Sequence, residues 1–433
     1  MRLNYALKDR YIFTFTARRD GSSYFAENNK WGIFPSLSAA WRVSEEAFMR
    51  DKTPFSDLKL RVGYGTVGNE NVIGTNSMSL YKSGYNYLIG NTAHTGLALT
   101  QIENPDLKWE TNYTLNVGID YGLFNQRISG SVEYFYRGVK DLLDYQQLPA
   151  NNAVGRIAAN IGETKSEGFE FSLRSDNLTS KDFKWETTFN LSYFKTNWVK
   201  RNPEVALADY IGEKDELDAI YGWKTDGIIT SAADIPSYMP NASIGNIKYV
   251  DHNGDGKLDS EDVVKLGNRT PRWFTGLGNT LSYKNFDLNF YFYGAFGYKK
   301  SRGQVPDAFA IGNAGSAPAN TYSTLIGNVW NSQTGTGWMP GIATNSYDSS
   351  NPTGTNNFYL MDGGYVKLKN ITLGYTMPES IFMNSKFIRS VRFFVDAQNV
   401  ATFTKYKGFD PELGTDNPYP QALSLSFGFN LGF

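Results

Sequence analysis

The chain has 433 residues, with 42 Lys and Arg, 43 Asp and Glu, no Cys, and a formal net charge of −1. This balance excludes the basic excess expected of a nucleic-acid-binding protein, so no nucleic-acid partner is expected. The lack of cysteine excludes disulfides, thiolate metal sites and cysteine nucleophiles.

Segments with a two-residue hydrophobic period recur along the whole chain and predict about thirteen antiparallel β-strands. In chain order they are 3–7, 11–18, 34–43, 58–65, 109–121, 127–137, 166–175, 184–194, 272–282, 286–294, 364–374, 389–398 and 423–433. Residues 141–149 would extend one of these strands. The fold class is therefore all-β, with strands that carry one apolar and one polar face.

The last predicted strand, 423–433, alternates Leu and Phe with Ser, Gly and Asn over eleven residues. A tilted strand needs about 9–11 residues to cross a bilayer, and the apolar-out, polar-in alternation fits a membrane barrel. A half-buried strand of a soluble sheet would alternate in the same way. This segment alone leaves both interpretations open.

The connections between the predicted strands alternate between short and long. Tight turns are predicted at 8–10, 122–126, 176–183 and 284–285, and long stretches at 19–33, 66–108, 138–165, 195–271, 295–363 and 399–422. Outer-membrane barrels have short periplasmic turns and long extracellular loops. The alternation therefore favours a transmembrane antiparallel barrel. An odd number of strands would leave an open edge, so further strands are expected before Met1.

Residues 251–262, DHNGDGKLDSED, follow the spacing of a calcium-binding loop. The candidate ligands are Asp251, Asn253, Asp255, Lys257 through its carbonyl, Asp259 and Asp262. The last position carries Asp instead of the usual Glu, and no helical pattern flanks the loop. A turn without an ion is the alternative. A bound Ca²⁺ would be structural, and no other cofactor is expected.

The sequence offers little support for an enzyme. His94 and His252 are the only histidines, and no hydrolase or metalloprotease motif accompanies them. Aromatic residues of the long stretches, among them Tyr85, Trp223 and Trp330, could instead contact a ligand by stacking on sugar rings. Packing within the loops is the alternative use of these side chains.

Several longer stretches carry a resemblance to a known family. They are 18–49, 58–72 (LKLRVGYGTVGNENV), 104–124 (NPDLKWETNYTLNVGIDYGLF), 160–173, 250–288, 363–378 (GGYVKLKNITLGYTMP) and 398–412 (QNVATFTKYKGFDPE), followed by the terminal Phe433. In this order they resemble the SusC/RagA-like TonB-dependent outer-membrane transporters of Bacteroidetes. The resemblance covers the chain from about residue 3 to residue 433.

The resemblance implies a 22-stranded barrel with an N-terminal plug domain and a TonB box. Residues 1–433 correspond to its C-terminal portion, about 13–14 strands, without the plug, TonB box or signal peptide. Such a transporter lies in the Gram-negative outer membrane. It acts with a SusD-like surface lipoprotein and the TonB complex to import oligosaccharides or peptides. The terminal Phe433 resembles the signal read by the barrel-assembly machinery.

In such a barrel the apolar faces contact outer-membrane lipid, and the polar faces line the lumen or contact the plug. The lumen-facing candidates are Asp120, Glu133, Arg137, Tyr291 and Tyr293. Two other classes of protein remain as alternatives. One is a secreted soluble β-rich carbohydrate-binding protein with a calcium-stabilised loop, and the other is a secreted β-rich glycosidase that uses paired carboxylates.

Overall fold

A computed structural model describes residues 1–49, 54–70, 78–301, 327–341, 355–383, 387–414 and 419–433. Within these ranges the helical elements are short 3-10 helices at Val43–Glu45, Ala232–Asp234, Ser260–Asp262, Asn357–Tyr359 and Glu379–Ile381. Across the same ranges, no helix has the length and apolar character needed to cross a membrane. The rest of the regular structure is β-strand.

Thirteen long strands account for the thirteen predicted segments. They are β1 (Arg2–Leu7), β2 (Tyr11–Gly21), β3 (Trp31–Arg42), β4 (Phe55–Asn69), β7 (Glu110–Leu123), β8 (Ile128–Lys140), β11 (Glu163–Thr179), β12 (Phe183–Lys200), β17 (Trp273–Tyr283), β18 (Phe286–Phe296), β21 (Tyr365–Thr376), β22 (Ser390–Thr404) and β23 (Ser424–Gly432). The prediction of an all-β antiparallel fold is confirmed. Several strands run past their predicted ends, because backbone pairing continues where the apolar alternation stops.

The chain folds into two compact units. The first comprises Met1–Asn177, Glu186–Ala206 and Glu213–Leu217, and the second comprises Leu178–Trp185, Leu207–Gly212 and Asp218–Phe433. In the first unit β1, β2, β3, β4, β7, β8, β11 and β12 are antiparallel neighbours in that order. In the second unit the corresponding order is β17, β18, β21, β22 and β23.

The short turns lie where the sequence predicts them. Lys8 and Asp9, between β1 and β2, have φ angles of 53° and 54°. Phe124, Asn125 and Gln126, between β7 and β8, also lie in the left-handed region. Tight hairpin turns require such positive φ angles, because they match the twist of the flanking strands.

The long connections contain structure of their own. The short strands there are β5 (Leu80–Ile89), β6 (Thr92–Gln101), β9 (Leu143–Gln147), β10 (Arg156–Asn160), β13 (Ala219–Trp223), β14 (Thr225–Ile228), β15 (Ile247–Tyr249), β16 (Val263–Asn268), β19 (Lys299–Ser301) and β20 (Leu360–Asp362). Each pairs with one partner: β5 with β6, β9 with β10, β13 with β16, β14 with β15, and β19 with β20.

The segment 141–149 does not extend a long strand, so that expectation is wrong. Asp141 has a φ of 56°, which breaks the extended backbone at the end of β8. The residues after it form β9, which pairs with β10 in a separate hairpin.

One face of the long strands carries exposed apolar side chains in register. In the second unit Leu373, Val395 and Phe427 lie side by side on β21, β22 and β23, with exposed fractions of 51%, 40% and 78%. In the first unit Val62 and Val117 form a similar exposed row with Tyr134. Continuous exposed apolar rows of this kind suit lipid, because water would solvate them unfavourably.

Candidate functional site

The second unit contains a cavity of about 880 Å³ beyond the ends of β17 and β18. Its lining comes from five separate parts of the chain: Ile220, 269–274, 293–301, 355–365 and 411–414. A volume of this size is in the range of small-ligand sites, about 300–1,000 Å³. We refer to this cavity as the tyrosine pocket, because Tyr293, Tyr298, Tyr359 and Tyr365 contribute to its lining.

The floor of the tyrosine pocket is a small buried cluster. Tyr298 and Tyr365 are buried with Ala295, and Phe274 and Tyr293 pack against them. The rings of Tyr293 and Tyr365 lie 6.0 Å apart between centroids. Burial raises the pKa of the Tyr298 phenol above its usual value, so this side chain stays neutral at physiological pH. The floor is therefore rigid and uncharged, with phenolic groups at its surface.

One wall of the pocket is the segment 410–414, which is fastened to the strands beneath it. The Tyr298 hydroxyl donates to the Pro411 carbonyl at 2.8 Å. The Lys300 ammonium donates to the carbonyls of Asp410 and Pro411 at 3.0 and 2.9 Å, and also to that of Leu413. Burial lowers the pKa of Lys300, and Asp410 partly offsets this effect. These hydrogen bonds fix the backbone of the wall.

Buried charges hold the same segment from below. The Lys367 ammonium donates to both carboxylate oxygens of Asp410 at 2.8 and 3.0 Å and to Glu412 at 2.7 Å. Lys369 also donates to Glu412, at 3.0 Å. Burial alone would raise the pKa of Glu412, but the hydrogen bonds from the two lysines lower it, so this carboxylate is ionised at neutral pH. We refer to Lys367, Asp410 and Glu412 as the charged latch.

The opposite wall contains the turn 269–272, which Asp218 organises. The Asp218 carboxylate accepts a hydrogen bond from Arg272 at 2.7 Å and two from the backbone and hydroxyl of Thr270. The backbone amide of Arg269 donates to the Asp218 carbonyl at 3.0 Å. Burial would raise the pKa of Asp218, but the bonds from Thr270 and Arg272 lower it. Asp218 therefore positions this turn at the pocket edge.

Two of the lumen-facing candidates belong to a charge network in the first unit. Arg61 on β4 contacts Asp120 on β7 at 3.0 Å and Glu133 on β8 at 2.5 Å, and Lys59 contacts Asp120 at 3.0 Å. Arg61 is also in register with Gly118 and Glu133, one residue away from the exposed row of Val62. These charges therefore lie on the face opposite the apolar row. Arg137 lies four residues after Glu133 on β8, so the two residues share a face of the strand, and Arg137 is exposed.

The remaining lumen-facing candidates lie on β18. Tyr293 lines the tyrosine pocket, and Tyr291 lies two residues before it with an exposed fraction of 37%. Asp287, on the same face of this strand, pairs with Arg392 of β22 at 2.5 Å. Among the sequence-based candidates that the structure describes, Tyr293 is the residue that lies in the pocket lining.

The three aromatic ligand-contact candidates lie outside the pocket lining. Tyr85 is exposed on the β5–β6 hairpin. Trp223 packs edge-on against the buried Tyr249, with 6.3 Å between ring centroids. Trp330 lies over Gly245, where an added Cβ would approach its Cδ1 to 2.9 Å. Trp223 thus packs within its own long connection, Trp330 packs against a different one, and ligand contact by these residues stays a prediction.

The loop core around Trp223 is a distinct hydrophobic cluster. Ile229, Met239, Ile247 and Tyr249 are buried together. Such a cluster gives this long connection its own stable fold, which a sequence without regular periodicity does not reveal. Phe433, the proposed assembly signal, is exposed and follows β23 directly.

The candidate calcium loop closes on itself through backbone amides. Asp262 is fully buried and accepts hydrogen bonds from the amides of His252, Asn253 and Asp259. Asp251 accepts from Gly254 and Gly256. Within the described ranges, no group of three or more His, Cys, Asp or Glu side chains is arranged to hold a metal. The loop conformation is thus explained by its own hydrogen bonds, and calcium binding stays a prediction.

Calcium binding has a direct check in thermal melting. If the loop binds the ion, millimolar Ca²⁺ raises the melting temperature, because a ligand that binds the folded state stabilises it. Asp255→Ala should remove the effect, because it removes one of the candidate calcium ligands. It should disturb the ion-free loop little, since the Asp255 side chain is exposed and accepts a hydrogen bond from the Lys257 amide at 2.9 Å. Asp262→Ala is a poor probe, because it disrupts the loop without any ion. Equal melting temperatures with Ca²⁺ and with chelator would disprove the prediction.

The sequence did not indicate most of the tyrosine pocket. Arg269, Lys299 and Lys300 lie in stretches without strand periodicity, and Pro411 to Gly414 lie far along the chain. The available signal was the family-like stretches 250–288, 363–378 and 398–412, each of which supplies residues to the pocket or its latch. Nothing in their spacing predicts that they meet.

Comparison with known proteins agrees with the fold and the strand order. The family model described as "TonB dependent receptor-like, beta-barrel" matches residues 1–400. The chain is 33% identical to TonB-dependent receptor P3 of Formosa agariphila and 30% identical to TonB-dependent receptor SusC of Bacteroides thetaiotaomicron, covering all of this chain and 43% of each relative. The solved structure of the RagAB peptide transporter superposes over the whole chain with a TM-score of 0.80 and 25% identity, and 47% of that chain is covered.

The chain thus spans less than half the length of these relatives. The match nevertheless covers nearly every strand described above. The protein is an outer-membrane protein, as these relatives show, and the exposed apolar rows of its strands suit lipid. The chain belongs to the TonB-dependent receptor β-barrel family, in its SusC- and RagA-like branch.

Proposed function

We propose that this chain forms the barrel wall of a TonB-dependent importer that takes up oligosaccharides or peptides with a SusD-like surface lipoprotein. The observation that carries the proposal is the tyrosine pocket, a ligand-sized cavity built onto a barrel of the SusC and RagA type. Tyrosine rings offer flat surfaces for sugar rings or peptide side chains, and their hydroxyls offer hydrogen bonds. One solved neighbour supports a peptide cargo, since RagAB is described as a peptide transporter, and the family resemblance implies oligosaccharides as the other class.

The side chains divide the work of transport between three surfaces. Exposed rows such as Leu373, Val395 and Phe427 hold the strands in lipid. The network of Arg61 with Asp120 and Glu133 lies on the opposite face, where the ion pairs satisfy charges next to the transport path. The tyrosine pocket holds the ligand. Energy coupling belongs to TonB and a plug, which the family resemblance implies.

The soluble alternatives fit these observations less well. A secreted carbohydrate-binding protein or glycosidase needs an outer face that water solvates, and the apolar rows in both units do not provide one. The carboxylates of the charge network are held by Arg61 and Lys59, so they are unsuited to act as a free general acid and base.

Uptake by whole cells tests the proposed function. Cells that express the intact transporter should accumulate a fluorescently labelled oligosaccharide or peptide, and deletion of the gene should abolish this uptake. A protonophore should also abolish it, because TonB draws on the inner-membrane proton gradient. Equal uptake with and without the gene for every labelled sugar and peptide would refute the proposal. Co-purification with a surface lipoprotein in mild detergent tests the partner separately.

A further inference from the structure

Two cations of the tyrosine pocket have no ion-pair partner among the residues that the structure describes. They are Arg269, which is exposed at the pocket edge, and Lys299, which is half-buried on β19. The third cation of the lining, Lys300, is different, because backbone carbonyls of the wall 410–414 already accept its hydrogen bonds. The pocket therefore presents two cations that form no ion pair with the described residues.

Three carboxylates around the pocket already accept hydrogen bonds from other groups. Asp218 accepts from Thr270 and Arg272. Asp362 is the cross-strand neighbour of Lys299, but its carboxylate accepts from the amide of Gly364 at 3.0 Å. Glu412, the carboxylate of the lining, is bound by two lysines of the strand below.

The stem of Lys299 and the backbone of Arg269 are both held in place by neighbouring groups. Gly267 on β16 has a φ of 153°, and an added Cβ would come within 2.6 Å of Lys299 Cγ. The aliphatic part of Lys299 therefore lies directly on the glycine backbone, two residues from Arg269. On the other side, the bond from the Arg269 amide to Asp218 fixes the start of the turn. The packed stem of Lys299 therefore loses little conformational entropy when this residue binds a ligand.

We infer that the tyrosine pocket binds a carboxylate group of the imported ligand through Arg269 and Lys299. This inference rests on the proposed function and narrows it from oligosaccharides or peptides in general to ligands that carry a carboxylate. An arginine fork pairs with both oxygens of a carboxylate, and the lysine adds a second charge-assisted hydrogen bond. The neighbouring tyrosines contact the uncharged part of the ligand.

Two kinds of ligand supply this chemistry, namely acidic sugars with a uronate group and peptides with a free C-terminus. The test is isothermal titration of the intact transporter in detergent with four probes. They are a tetragalacturonate, its carboxyl-reduced form, an N-acetylated tetrapeptide of uncharged residues with a free C-terminus, and the same acetylated peptide amidated. At least one carboxylate probe should bind about tenfold or more tightly than its neutral counterpart. The probe that binds identifies the source of the carboxylate.

Substitutions test whether the two cations bind the carboxylate. Arg269→Gln and Lys299→Gln should each lower the affinity for the carboxylate probe about tenfold and leave the affinity for the neutral probe unchanged. Lys407→Gln is the matched control, because Lys407 is exposed on the loop after β22 and lies outside the pocket lining. The Lys407→Gln variant should bind each probe with the same affinity as the unmodified protein. Gly267→Ala should also weaken the carboxylate probe, since it displaces Lys299.

Salt dependence provides a measurement without any variant. Affinity for the carboxylate probe should fall between about 0.05 and 0.5 M NaCl, while affinity for the neutral probe stays constant. Equal affinity for charged and neutral probes, or unchanged affinity in both glutamine variants, would overturn the inference. The proposed import function would still stand. Failure to bind any of the four probes would overturn the inference and remove the support that the pocket gives to import.

Discussion

Replacing Phe427 by arginine is expected to reduce sharply the amount of folded protein in the outer membrane. Phe427 lies near the middle of β23, with 78% of its surface exposed, in register with Val395 and Leu373. A guanidinium on the lipid face of a barrel costs about 2–4 kcal/mol near the bilayer midplane. That cost corresponds to a loss of roughly 30- to 1,000-fold in the equilibrium between inserted and unfolded protein. Heat-modifiable migration of the band on gels measures the folded fraction.

Ser426→Arg is the matched control for this experiment. Ser426 precedes Phe427 on the same strand, so its side chain leaves on the other face. Its cross-strand neighbour on β22 is Asp396, which can accept a hydrogen bond from the new guanidinium. This variant should therefore fold nearly as well as the unmodified protein. If both arginines were tolerated equally, the apolar rows would not be a lipid-contacting surface.

The strands could be predicted because their determinants are local. On β7, Val117 and Ile119 alternate with Gly118 and Asp120, and this two-residue period is sufficient to assign both strand and facing. The turns were predictable for the same reason. Extension beyond the apolar segment was not, since β12 continues to Lys200 through backbone pairing and not through a hydrophobic pattern.

The tyrosine pocket could not be predicted because its determinants are non-local. Lys299 and Gly267 are 32 positions apart in the sequence, yet the glycine makes room for the lysine stem. Tyr298 reaches the Pro411 carbonyl across more than a hundred residues. The aromatic residues of the loops were wrongly easy to interpret as exposed. Trp223 lies in a long connection without strand periodicity, yet it packs on the buried Tyr249. Only the fold distinguishes a ligand-facing ring from a buried one.

Removal of the Lys367 ammonium is expected to release the wall of the tyrosine pocket. Lys367→Met leaves the Asp410 carboxylate, which has only 9% of its side-chain surface exposed, without its ion pair. Breaking one side of a buried pair costs about 3–5 kcal/mol, because the remaining charge stays desolvated. Hydrogen exchange should show the result as a loss of protection in the segment 405–414 of about 150- to 5,000-fold, provided that local opening limits exchange.

Lys369→Met separates this effect from a simple loss of positive charge. Lys369 also contacts Glu412, but 27% of its side chain is exposed, against 3% for Lys367. An exposed pair contributes at most about 1 kcal/mol, so protection of the segment should change less than tenfold. Equal effects of the two substitutions would show that the charged latch does not hold the wall. The contrast follows from burial and from the additional pair of Lys367 with Asp410, since both lysines lie on β21 and share Glu412 as a partner.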